Sequence, residues 1–88
     1  MKEIKVVVID PVGLHARPAT VAVNVASRFK SDVKVAYKSK EVNMKSIMGV
    51  MSLGIQQGAQ ITISAEGDDA EAAIAALTET ITTQGLGE

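Results

Sequence analysis

The absence of cysteine from all 88 residues of this chain leaves no disulfide or thiolate metal site to staple the fold. A domain of this size then depends on one continuous apolar core, and there is no room for two. At 47% hydrophobic and 22% charged residues, the composition is that of an ordinary globular domain. One domain over residues 1–88 is the expectation.

Charge and aromatic content exclude several classes of function. Nine basic residues against ten acidic ones leave a net charge of −1, which argues against binding driven by neutralising nucleic-acid phosphates. Phe29 and Tyr37 are the only aromatic residues, too few for a base-stacking platform or a deep aromatic-lined pocket. No apolar run approaches the roughly 20 residues that cross a bilayer, and no secretory signal pattern opens the chain. The chain is therefore expected to be cytoplasmic, without membrane insertion, and to act through its surface.

Hydrophobic periodicity divides the chain into seven elements. In residues 2–9, Ile4, Val6 and Val8 alternate with Lys5 and Val7, as in a half-buried strand. Asp10, Pro11, Val12 and Gly13 break it. Over residues 16–29 a helical stripe of Ala19, Ala22, Val23, Ala26 and Phe29 competes with strand-like alternation of Val21, Val23 and Val25. Strong helix-forming alanines and Pro18 in the first turn favour helix. Val33, Val35 and Tyr37, then Val42 and Met44, mark two strands joined at Lys38-Ser39, a turn without the glycine that hairpins favour. Ser46 can cap a short helix that Gly54 ends. Ile61, Ile63 and Ala65 alternate with Thr62 and Ser64 in a further strand. Asp68 or Asp69 caps a last helix with the stripe Ala70, Ile74, Leu77 and Ile81, ending near Gly85. The order βαββαβα predicts an α+β open-faced β-sandwich, a four-stranded antiparallel sheet with three helices on one face.

Chemistry concentrates in Gly13-Leu14-His15-Ala16-Arg17-Pro18-Ala19. His15 is the only histidine, set where loop becomes helix. Backbone N–H groups there, those of Ala16 and Arg17 among them, lack intrahelical acceptors, and the helix dipole favours an anion. The same field disfavours imidazolium, leaving a neutral ring able to act as a nucleophile. Arg17 can add charge-assisted contacts to phosphate oxygens. A capping or surface histidine fits the local pattern as well. A metal site does not, because no second histidine or cysteine exists, and no acid is spaced to complete a hydrolytic triad.

The second stretch is Lys45-Ser46-Ile47-Met48-Gly49-Val50-Met51-Ser52-Leu53-Gly54. Its apolar residues crowd several faces of one short helix. They serve either as core or as an exposed methionine patch able to accept several partners. Ser46 fits two roles, a helix N-cap or a phosphorylation site whose added charge the helix start tolerates.

Both stretches resemble those of HPr, the histidine-containing phosphocarrier family of the sugar phosphotransferase system, the second in the form seen in Gram-positive bacteria. The resemblance extends over the whole chain. It implies that His15 accepts phosphate on Nδ1 from phospho-Enzyme I and passes it to sugar-specific IIA domains, with Arg17 and the helix-start amides steadying the phosphoryl group. It also implies phosphorylation of Ser46 by an ATP-dependent HPr kinase/phosphorylase, giving a form that acts as corepressor for catabolite control protein A. Thr20, Val23, Ile47, Met48 and Met51 match the family's docking face, with Asn24 and Val25 beside it. The related regulator, catabolite repression HPr, lacks the histidine that this chain has. The resemblance implies no cofactor, no metal and no independent catalysis, and a carrier docking through one face is most simply a monomer.

Overall fold

Alternating side chains build the sheet, and each strand turns one face inward. The computed structural model describes residues 2–9, 16–85 and 87, apart from the side chains of residues 16–18. β1 (Lys2–Val7), α1 (Ala16–Ala26), β2 (Asp32–Tyr37), β3 (Lys40–Asn43), α2 (Ile47–Ser52), β4 (Gln60–Glu66) and α3 (Ala70–Thr83) follow in that order. The four strands lie in the order β1-β4-β2-β3, and every neighbouring pair is antiparallel.

Register explains the core. Ile63 of β4 is paired with Ile4 on one side and Val35 on the other, and Ile61 with Val6 and Tyr37. Val6, Val33, Val35, Ile61, Ile63 and Ala65 are all buried. The opposite face carries Glu3, Lys5, Lys34 and Glu41, all exposed. There Lys34 Nζ and Glu41 Oε1 stand 3.8 Å apart; such a solvated pair contributes no more than about 1 kcal/mol. The helices cover the apolar face. α3 packs on β1, β4 and β2, α1 on α3 and α2, and α2 on β3, all around one core cluster.

The structure departs from three of the sequence expectations. α1 ends at Ala26, short of the stripe read to residue 29, and Phe29 reaches the core from the turn beyond. Ser27, Arg28 and Phe29 still donate their N–H groups to Val23, Val25 and Ala26, but the next two N–H groups have an acceptor in another element and the helix stops. Val25 is buried while Val23 is half-buried, so Val25 belongs to the core and not to a docking face; Asn24 is exposed. In α3 the buried stripe is Ala70, Ala73, Leu77 and Ile81, rotated from Ile74 toward Ala73.

Asp69 occupies the N-cap position of α3 but makes no side-chain capping bond. Its carboxylate faces the loop between α1 and β2 instead. The β2–β3 hairpin closes without glycine because Lys38 adopts φ of 57°, alone among described non-glycine residues. The expected break at residues 10–13 lies outside the described residues.

Candidate functional site

α1 begins at Ala16, the residue that follows His15 in the sequence. His15 itself lies outside the described residues, as do the side chains of Ala16, Arg17 and Pro18. The backbone of Ala16 and Arg17 forms the first turn of an eleven-residue helix. N–H groups at such a start have no acceptor within the helix, and proline supplies none at the third position. Farther along α1, Thr20 is exposed and Val23 half-buried.

The root of the segment leading to His15 is tied down from β4's side of the sheet. Val8 donates its N–H to Ala59 O at 2.9 Å and accepts from Gly58 N at 2.7 Å. Gln57 Nε2 donates to Ile9 O at 3.2 Å. Sequence reading did not single out these residues; only the glycine at position 58 signals a turn there.

α2 resolves the question of its crowded apolar residues by dividing them. Val50 is fully buried and Ile47 half-buried, whereas Met48 is 81% and Met51 45% exposed. A methionine so exposed on a six-residue helix adds nothing to the core and gives the surface an adaptable apolar patch. Ser46 is the N-cap: its Oγ accepts from Gly49 N at 3.1 Å while the side chain remains open to solvent. Leu53 and Gly54 close the helix, Gly54 with φ of 63°, the left-handed conformation that a helix exit favours. α1, which carries Thr20 and Val23, packs against α2, which carries Ile47, Met48 and Met51.

One further contact ties these helices. Lys45 Nζ donates to Phe29 O at 2.8 Å, just past the end of α1, and Lys45 N donates to Asn43 Oδ1 at 2.9 Å. No sequence signal marks it, since its acceptor is a main-chain carbonyl 16 positions away. Among the described residues no cluster of three or more side chains could hold a metal ion. No described helix is long and apolar enough to cross a membrane.

Comparison with known proteins gives this geometry a context. The family model for the PTS HPr component phosphorylation site matches residues 2–83. A histidine-containing phosphocarrier protein from Mycoplasma is 41% identical, with 99% of each chain covered and a TM-score of 0.96. HPr-C-His from Thermoanaerobacter tengcongensis is 50% identical over 96% of this chain and 94% of that one, with a TM-score of 0.91. The phosphocarrier protein HPr of Bacillus anthracis is 47% identical over 90% and 94% of the two chains, with a TM-score of 0.83.

Proposed function

The chain belongs to the HPr family of phosphocarrier proteins, and from that premise we propose that His15 carries a phosphoryl group between Enzyme I and sugar-specific IIA domains. The observation that carries this reading is the start of α1 at Ala16. The only histidine of the chain directly precedes that residue in the sequence, and the first N–H groups of a helix lack intrahelical acceptors, which supports a phosphate site there.

The transfer balances simply. The P–N bond on the histidine of phospho-Enzyme I breaks as a bond forms from the phosphorus to Nδ1 of His15, and the reverse step delivers the phosphoryl group to the next protein. Little covalent chemistry is asked of the carrier beyond a nucleophilic ring. Positioning and charge stabilisation do the rest. The N–H groups of Ala16 and Arg17 and the guanidinium of Arg17 take the phosphate oxygens, with no metal or cofactor. Thr20, Val23, Ile47, Met48 and Met51 meet the partners. A small, partly apolar contact of this kind releases its partner fast enough for turnover.

Ser46 is the regulatory site of the same surface. Phosphorylation by HPr kinase/phosphorylase sets a charge of about −2 beside Ile47 and Met48, which hinders transfer and creates the form recognised by catabolite control protein A. The protein acts in the cytoplasm as one monomeric domain.

Incubation with phosphoenolpyruvate and Enzyme I is expected to give an acid-labile, alkali-stable phosphate by 31P NMR. Absence of label on the wild type, or equal label on His15→Ala, would refute the carrier role. ATP and HPr kinase should give an acid-stable phosphate that Ser46→Ala abolishes.

A further inference from the structure

The loop between α1 and β2 is held from two sides by opposite charges. Asp69 takes the N–H groups of Lys30 and Ser31, at 2.8 Å each, and Lys45 takes the carbonyl of Phe29. The first contact ties the loop to α3 and the second ties it to the segment that starts α2. We infer that Lys45 is a positioning residue for the docking surface, holding α2 in place against α1 through the Phe29 carbonyl.

α2 needs such a tether. Six residues are too few to be stable alone, and its only side-chain cap is Ser46. Val50 and the half-buried Ile47, with Met44 and Leu53 buried at its two ends, anchor its apolar side, but apolar contacts are non-directional and do not by themselves fix the position of the helix start. The Lys45 contact adds a directional hold just before the Ser46 cap. It is charge-assisted, it is partly buried, and the four-carbon stem can cover apolar surface. Lys45 does not pair with any carboxylate among the described residues, so the carbonyl is its defined partner. The backbone of Lys45 is itself fixed by Asn43. The proposal rests on the docking role of α1 and α2 given above: partners meet both helices at once, so their relative position sets affinity.

Steady-state transfer from phospho-Enzyme I, with the concentration of this protein varied, separates affinity from chemistry. Lys45→Met, which keeps the stem, is expected to raise KM about fivefold and leave kcat within about twofold. Lys45→Arg should restore KM to nearly the wild-type value. An unchanged KM in Lys45→Met overturns the proposal, as does a fall in kcat alone. A KM rise that vanishes in about 0.5 M salt also overturns it, because that marks a surface cation attracting its partner at a distance. Should Lys45→Met not fold, Lys45→Gln is read in the same way. Hydrogen exchange gives a reading independent of transfer: amides of residues 47–52 should exchange about tenfold faster in the variant, with β4 unchanged. If wild-type protein takes no phosphate, the carrier role fails and exchange alone decides the tether; equal exchange in wild type and variant overturns it.

Discussion

Asp69 and Ser31, 38 residues apart, close the gap between α3 and the loop before β2: Asp69 Oδ1 accepts from both the N–H and the hydroxyl of Ser31. Oδ2 accepts from Lys30 N at 2.8 Å. These donors favour the charged carboxylate. The Ser31 hydroxyl is the largest influence, then the Lys30 N–H, and together with the Ser31 N–H they outweigh partial desolvation to hold the pKa at about 2, below the ordinary 3.8. A carboxylate whose folded pKa is depressed contributes stability that is complete above the unfolded value and is lost as pH falls through the folded one. Wild-type protein should therefore lose stability between about pH 4 and pH 2. In Asp69→Asn that part of the acid limb should be flatter, with lower stability at neutral pH. Denaturant melts from pH 2 to 7 check this, and parallel curves for the two proteins would contradict it.

Gly67 lies directly beside this junction. Its φ is 145°, and a Cβ there would stand 2.6 Å from Ser31 Oγ and 2.9 Å from Ser31 Cα. Gly67→Ala should destabilise the fold by about 2 kcal/mol or more, since backbone strain and a backbone clash act together. Equilibrium unfolding in urea measures it.

Lys38 supplies the positive φ that the hairpin needs, with its ammonium 5.2 Å from the centre of the Tyr37 ring. A left-handed residue costs about 1–2 kcal/mol when it has a Cβ, less for asparagine. Lys38→Asn should thus match or exceed wild-type stability by up to about 0.5 kcal/mol, after loss of the weak cation–π contact. Lys38→Val, β-branched, should fall about 1–2 kcal/mol below it. The order Asn, Lys, Val in thermal melts is the test.

The capping role of Ser46 and its proposed regulatory role separate by substitution. Ser46→Ala removes the acceptor for Gly49 N and should cost about 1 kcal/mol while leaving phosphotransfer near wild type. Ser46→Asp retains a good cap, so stability should stay within about 0.5 kcal/mol, yet the added charge should slow transfer. Paired melts and transfer assays give both quantities.

Met48 and Leu77 are opposite cases of large apolar residues. Met48→Ser should change stability by less than about 0.5 kcal/mol and raise KM for Enzyme I, because the side chain is 81% exposed. Leu77→Ala leaves a cavity beneath α3, where the side chain is fully buried, and should cost about 3 kcal/mol with no specific effect on transfer.

Sequence alone determined the order of elements, the inward face of every strand, the caps of α2 and the family signature around His15 and Ser46. These depend on spacing between near neighbours: alternation puts Ile61, Ile63 and Ala65 on one face whatever the rest of the chain does. Tertiary structure decided what spacing cannot reach. Whether α1 stops at Ala26 or runs to Phe29 depends on Asp69 taking the N–H groups of Lys30 and Ser31. Whether Met48 is core or surface depends on which side of α2 meets β3. Lys45 reads as one more cation until the fold brings Phe29 O within 2.8 Å. A side chain bonded to distant main chain leaves no periodic trace, because its partner is a backbone group that every residue has and only folding selects.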